Sequence, residues 1–342
     1  MVEVFIRANT GGKKLDYSDI LLSTATAKWK TLNAREEIQT FTDDINNIGT
    51  GYNLEKDFVL KGCLYLTETL PIQYKVRNFT RQNLELIENN WDNIKANIDT
   101  TIRLMSKFGF SNKNITAAVA LLPIAFYLMK LSKKNFAAST NADDVRNQNV
   151  IQKWIAISLL KNAFGGSSDT TLKNLRDTLL AQRSFSQFPF DDLNKKLGIE
   201  PTFSSTELDN LLNIQYKSKY SYLTLSLLYP DRDWKDNLYH EDHIYPKSEF
   251  TTAKLKARGY DQQKVTDYQR YFNTIINLQL LTDCENLEKN SQDFASWITT
   301  RDDNFKKRHT IPDIGTYSFD NFLVFIQERQ KLIVDKLKSI TV

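Results

Sequence analysis

Apolar residues recur at steps of three and four along most of this chain, which is the spacing of one face of an α-helix. One such stripe consists of Trp91, Ile94, Ile98, Ile102 and Met105. It predicts a helix from about Gln82 to Phe108 with one side in a core. The chain has only 11 Gly and 7 Pro in 342 residues, fewer than a β-sandwich with many tight turns needs. We therefore expect a mainly α protein.

The apolar runs and the cysteines limit where such a protein can work. The longest apolar run, residues 115–131, contains Thr116 and Pro123 and falls short of a membrane span. The first residues become polar too early for a signal peptide. Cys63 and Cys284 are the only cysteines, too few for a disulfide framework or a four-cysteine zinc site. These features predict a soluble, cytoplasmic protein without a membrane partner.

The pattern changes after Pro230, where two short strands and a helix are predicted. The candidate strands are residues 239–244 and 275–281, and the helix begins at Thr282. Thr282-x-x-Glu285 is a capping box, in which two side chains satisfy free N–H groups at a helix start. An inserted helix between the strands is predicted from three aromatic residues, Tyr268, Tyr271 and Phe272.

Residues suited to phosphodiester hydrolysis lie on these elements. Imidazole can take a proton from water near neutral pH, because its unperturbed pKa is about 6.5. Carboxylate and amide oxygens suit a hard cation such as Mg²⁺, which neutralises charge on the phosphate. Asp242, His243 and Asn286 are of these types, whereas we interpret His240 as a surface or supporting residue. Asp242 and His243 are adjacent and would point to opposite faces of a strand, so one site can use both only at a strand end or bulge.

The order of these residues resembles the HNH (His-Me finger, ββα-metal) endonuclease motif. Asp242-His243-Ile244-x-Pro246 is followed by Asn277, and Asn286 comes nine residues later with Lys289 behind it. The resemblance implies a metal-dependent endonuclease that uses Mg²⁺ or Mn²⁺. It implies that His243 is the general base, that Asp242 and Asn286 are metal ligands, and that Asn277 orients the loop and the base.

Contacts with nucleic acid are predicted at two places. Lys289 and Asn290 lie three and four residues after Asn286, along the same helix face. A basic run further on consists of Lys306, Lys307 and Arg308. The formal net charge of +4 permits a polyanionic partner such as DNA without requiring one. Because residues 231–342 are close to neutral, any DNA contact must come from local runs of this kind.

A wider resemblance covers most of the chain. Residues 5–15 resemble the F-x-R-x-N-x-G-G-x-x-L segment of GmrSD-type restriction proteins, and the region with Trp154 and the stretch 164–170 is similar to the linker domain of that family. The resemblance implies a remnant of a ParB-like domain with helices at 1–80, a helical linker at 81–230 and an HNH nuclease at 231–342. It further implies a missing N-terminal nucleotide-hydrolysing domain and modified phage DNA as the target in phage defence. A homo-oligomer is a possible further partner.

Two other functions use the same sequence features. A non-catalytic nucleic-acid-binding or assembly module would keep the helical part and carry a vestigial ββα unit. A toxin-type RNase would use the same four residues on RNA. The complete set of Asp242, His243, Asn277 and Asn286 favours an active site over a vestigial one.

Overall fold

The computed structural model describes residues 17–166, 168–229 and 239–340. These residues form seventeen α-helices and one two-stranded sheet, so the mainly α prediction is confirmed. The segment 5–15, which carries part of the GmrSD resemblance, lies outside the described residues, as do Pro230 and the eight residues after it.

The first eleven helices precede the sheet. They are α1 (Tyr17–Thr26), α2 (Ala34–Asn46), α3 (Lys56–Leu66), α4 (Arg81–Asn89), α5 (Trp91–Lys107), α6 (Leu121–Leu131), α7 (Ala142–Leu160), α8 (Ser168–Leu180), α9 (Phe190–Leu197), α10 (Ser205–Leu212) and α11 (Ser221–Leu227). The remaining elements are β1 (Tyr239–His243), α12 (Thr252–Ala257), α13 (Gln262–Tyr271), β2 (Leu278–Thr282), α14 (Asp283–Lys289), α15 (Phe294–Ile298), α16 (Asp303–Arg308) and α17 (Phe322–Lys338).

The chain divides into two compact units that are not contiguous in sequence. The first contains the described residues up to 106 together with 117–145 and 164–196. The second contains 107–116, 146–163 and the described residues from 197 onward. The predicted middle range, 81–230, therefore contributes residues to both units.

The core of the first unit includes the predicted stripe of α5. Trp91 is buried and packs edge-on against Trp29 and Phe41, with ring centroids 5.5 and 5.8 Å away. The single helix predicted from Gln82 is wrong, because the chain breaks at Asn90 into α4 and α5. Asn90 has φ −106° and ψ 6°, and asparagine is a weak helix former because its side chain competes for backbone hydrogen bonds.

A buried arginine closes one helix of the same unit. The last carbonyls of an α-helix have no partner within the helix. The Arg176 guanidinium, on α8, donates to the carbonyls of Leu64 and Tyr65 near the end of α3, at 3.2 and 3.3 Å, and to that of Leu70, at 2.7 Å. The guanidinium thus supplements the local C-cap, in which the Thr67 N–H donates to the Cys63 carbonyl.

The second unit holds the sheet and an aromatic core behind it. Strands β1 and β2 pair antiparallel, with Tyr239 opposite Thr282 and His243 opposite Leu278. Residues 275–277 form a 3-10 turn, so β2 begins three residues later than predicted. The buried Tyr245 ring, just after β1, lies against three phenylalanines, Phe294, Phe322 and Phe325.

The capping box at the start of α14 is confirmed. The Thr282 hydroxyl accepts from the Glu285 N–H, and the Glu285 carboxylate accepts from the Thr282 N–H at 2.9 Å. The helix therefore begins directly where β2 ends, and it returns across the sheet. Within the described part of the chain, no helix is both long and apolar enough to cross a membrane.

Candidate active site

One face of β1 meets α14 through a buried ion pair. The Lys289 Nζ lies 2.9 Å from Asp242 Oδ2 and donates to the His243 carbonyl at 2.7 Å. The Lys289 side chain is 1% exposed and that of Asp242 is 17% exposed. Lys289 was predicted to contact nucleic acid, but in this structure its ammonium is turned inward to β1. The physical reason is that the ammonium neutralises a largely buried carboxylate.

The oxygen atoms on this face suit a hard cation. Asp242 Oδ1 and the Asn286 amide have no hydrogen bond among the described residues, and Asn286 is half-buried. Across the strands, Gln279 donates to Asp242 Oδ2 at 3.0 Å, while its own Oε1 is buried without a partner. Mg²⁺ takes such oxygens and keeps several waters, and Asp242 Oδ1 is the carboxylate oxygen open to a cation, because Lys289 and Gln279 occupy Oδ2. The described residues contain no group of three or more His, Cys, Asp or Glu side chains that could hold a metal.

The other face of β1 carries His243. Its side chain is buried, with 7% of its surface exposed, and its Nε2 lies 3.0 Å from Asn273 Oδ1. The Tyr216 ring is 4.5 Å away by centroid, and the Phe272 ring is stacked at 6.4 Å. Burial lowers the pKa of His243, while the Asn273 hydrogen bond and the Asp242 charge act to raise it. The ring is therefore held mainly neutral at pH 7.

A second acid, Glu241, lies on the same face as His243. Its carboxylate accepts from the Ser221 hydroxyl at 2.8 Å and from the Lys217 N–H at 3.3 Å. Burial raises its pKa. Glu241 therefore fastens the start of α11 and the preceding segment to β1.

Asn277 holds the turn that follows β1. Its Oδ1 accepts from the Tyr245 N–H at 3.0 Å, and its Nδ2 donates to the carbonyls of Tyr245 and Phe272 at 3.1 and 2.8 Å. The Asn277 carbonyl also accepts from the Ile244 N–H at 2.8 Å. Asn277 is fully buried, so its amide fixes the backbone directly after His243.

The predicted site residues are thus divided between the two faces of the sheet. Asp242 contacts Lys289 of α14 on one face, and the His243 ring contacts Asn273 and Tyr216 on the other, but the Asp242 charge still acts on the pKa of His243. Asp242 and His243 have no side-chain partner in common, as the alternation of strand side chains requires. His240 faces α14, where its Nε2 pairs with the Asp283 carboxylate.

The predicted basic run is largely paired with acids of its own. Arg308 pairs with Glu285, and the Lys306 ammonium lies 3.5 Å from the Asp303 carboxylate. Lys307 is exposed, and Asn290 is exposed at the end of α14. His309, at the end of the run, is buried, with its Nδ1 3.1 Å from the Tyr229 hydroxyl.

Sequence reasoning missed several residues around His243. They are Gln215, Tyr216, Glu241 and Asn273. Strand alternation alone could have placed Glu241 beside His243, since the two are separated by one residue. Nothing in the sequence links Gln215 with Asn273, because only the folded chain brings them together.

No model of a known protein family matches this chain. A search of curated proteins finds no match either.

Proposed function

We propose that this protein is a metal-dependent phosphodiester hydrolase of the HNH type that acts on DNA. The observation that carries the proposal is the local order of elements, in which a strand ending at His243 pairs antiparallel with β2, and β2 leads directly into α14. Asn286 stands on α14, whose Lys289 binds the carboxylate of Asp242. A base candidate and two oxygen donors therefore lie on one small scaffold.

His243 is suited to accept a proton from water. A general base must be neutral at the working pH and oriented by its surroundings. Burial lowers the pKa of His243, and Asn277 fixes the backbone on the C-terminal side of the ring. Asp242 and Asn286 would hold the cation, which when bound supplies positive charge to the phosphate and the leaving oxygen.

The charge around His243 supports a polyanionic substrate. The chain segments that contact His243, through Tyr216, Phe272 and Asn273, carry or adjoin four cations that form no ion pair with a carboxylate among the described residues: Lys217, Lys219, Lys247 and Arg270. All four are exposed, and Lys247 is close enough for its charge to oppose protonation of His243. By contrast, Lys254 and Arg258 are both paired with Glu249. Unpaired cations release counterions when they meet phosphates, so we place the DNA path here.

The first experiment measures nicking of a supercoiled plasmid in Mg²⁺ or Mn²⁺ by the wild type, His243→Ala and His240→Gln. Loss of a general base costs about 10²–10⁴-fold in rate. We expect that loss in His243→Ala alone, because the His240 ring is already paired with the Asp283 carboxylate. Nicking by His243→Ala within threefold of the wild type would remove His243 as the base.

Parallel substrates separate the related functions. Single-stranded RNA tests the toxin-type RNase, and a plasmid with modified cytosines tests the restriction role implied by the GmrSD resemblance. Faster cleavage of RNA than of either plasmid would replace DNA as the substrate. Binding without cleavage of any substrate would favour the non-catalytic module.

The metal ligands are best tested through Asn286. Its amide has no hydrogen bond among the described residues, so Asn286→Ala should leave folding unchanged and raise the Mg²⁺ concentration needed for activity. Asp242→Asn is preferable to alanine, since alanine would leave the Lys289 ammonium buried without its acid. Metal titrations of both variants that overlay the wild type would exclude this site.

A further inference from the structure

We propose that Asn273 and Gln215 form a hydrogen-bond relay that fixes the His243 tautomer, so that Nδ1 is the proton acceptor. The catalytic role of Nδ1 rests on the proposed function, whereas the tautomer of the His243 ring does not. The relay extends the site to residues before β1, outside the strand–strand–helix unit. Asn273 and Gln215 are thereby positioning residues.

The segment that carries Gln215 is paired with the backbone beside His243. The Tyr216 N–H donates to the Asn273 carbonyl at 2.8 Å, and the Ile275 N–H donates to the Ile214 carbonyl at 3.0 Å. Gln215 and Thr274 form an antiparallel bridge between these two bonds. The segment therefore has a fixed register against residues 273–275, and the Gln215 side chain has a fixed neighbour.

The direction of every bond in the relay follows from one backbone carbonyl. The Asn213 carbonyl can only accept, and it receives the Gln215 Nε2 at 3.1 Å. This orients Gln215 so that its Oε1 accepts from Asn273 Nδ2 at 3.2 Å. Asn273 must then present Oδ1 to the ring, where it lies 3.0 Å from His243 Nε2.

The relay decides which ring nitrogen carries the proton. A carbonyl oxygen accepts, so His243 Nε2 must be the donor, and a neutral imidazole has only one N–H. Nδ1 is left with a lone pair for a proton from water. The Tyr216 and Phe272 rings flank the imidazole and limit its rotation.

The test is the ¹⁵N NMR spectrum of the side chains of the three histidines, with His243 assigned by difference from His243→Gln. We expect the Nε2–H tautomer in the wild type and a mixture of tautomers in Asn273→Ala and Gln215→Met. Gln215 is exposed, so Gln215→Met should fold even if Asn273→Ala does not. The control is Gln263→Ala, whose amide is exposed on α13 and bonds only to Asp267.

Nicking rates give the second readout. We expect a loss of about 10- to 100-fold in both relay variants, the usual range for a partner that orients a functional imidazole. Gln263→Ala should match the wild type in both readouts.

The outcomes separate this proposal from the proposed function. An unchanged tautomer in both relay variants would overturn the relay, whatever the nuclease does. If the tautomer shifts as expected in the two variants but the wild-type protein cleaves no nucleic acid, the relay is supported and the proposed function is overturned. An Nδ1–H tautomer in the wild type would overturn the assignment of Nδ1 as the base.

Discussion

Replacing Arg329 by methionine should loosen the part of the second unit that supports β2. The Arg329 guanidinium is fully buried and meets no carboxylate within the described structure. It donates instead to five backbone carbonyls, those of Ile275, Ile276, Leu278, His309 and Thr310. One side chain of α17 thus joins the 3-10 turn, the outer edge of β2 and the loop after α16.

The magnitude follows from two opposing effects. Four of these carbonyls would be left without a donor at a cost of about 1.5 kcal/mol each, whereas the Ile275 carbonyl keeps the Leu278 N–H. Burial lowers the pKa of the guanidinium to about 10, and the methionine variant recovers the corresponding desolvation cost of about 3 kcal/mol. We therefore expect Arg329→Met to lose about 2–5 kcal/mol, a large share of the usual stability of a domain.

Hydrogen exchange measured by mass spectrometry locates this loss. Peptides that cover residues 275–282 and 309–311 should exchange about 30- to 3,000-fold faster, because 1.4 kcal/mol corresponds to about tenfold in an opening equilibrium. Lys331→Met is the matched control, since Lys331 lies exposed on the same helix and bonds only to Glu328 at 2.7 Å. It should change stability by less than about 0.5 kcal/mol. Equal exchange in the two variants would refute the structural role of Arg329.

Three further predictions concern a glycine, a buried histidine and the DNA path. Gly109→Ala should lower the free energy of unfolding in urea by more than about 2 kcal/mol, because the φ of Gly109 is +78° and an added Cβ would lie 1.9 Å from the Tyr222 hydroxyl. Gly198→Ala is the control and should lower it by only about 1 kcal/mol, because Gly198 has a similar φ of +68° but open space around it. Burial lowers the pKa of His309 well below its ordinary value, so the unfolded chain binds a proton that the folded chain does not. The free energy of unfolding should therefore decrease as the pH is lowered from about 6.5, and His309→Gln should reduce that slope by up to about 1.4 kcal/mol per pH unit. An unchanged slope in the variant would contradict this prediction. Log DNA affinity should fall with log salt concentration, and serine substitutions at Lys217, Lys219, Lys247 and Arg270 should reduce the steepness of that fall by up to about 0.9 per phosphate contact. Substitution of Lys306, Lys307 and Arg308 should reduce it less. The reverse order would show that DNA binds along Lys306, Lys307 and Arg308 instead.

Local sequence rules succeeded where neighbouring residues decide the structure. The apolar run 115–131 ends in α6, which begins at Leu121 with Pro123 in its first turn, where proline is tolerated. The capping box at Thr282 depends on residues three apart, and it too was predictable. Both features need no knowledge of the rest of the fold.

The same rules failed where distant partners decide burial. Arg329 and Lys289 stand in helices rich in charged residues, a pattern typical of a solvated face, yet both are buried. Their burial depends on acceptors elsewhere, five carbonyls in one case and the Asp242 carboxylate in the other. The contact between Gln215 and Asn273 likewise spans 58 positions. No periodicity in the sequence encodes such pairs.

Lys289 also fixes the positions of Asp242 and His243 relative to each other, although their side chains point to opposite faces of β1. Asp242 and His243 cannot share a side-chain partner, but the Lys289 ammonium binds the carboxylate of one and the carbonyl of the other. The backbone carbonyl of His243 can be reached from the Asp242 side of the strand, so Lys289 connects the two faces through the main chain. Asn277 fixes the next two residues in the same way, through the Ile244 N–H and the backbone of Tyr245. The position of the His243 ring is thus set from the backbone on one side and by Asn273 on the other, which is why rigid placement here does not require a contact between the two side chains.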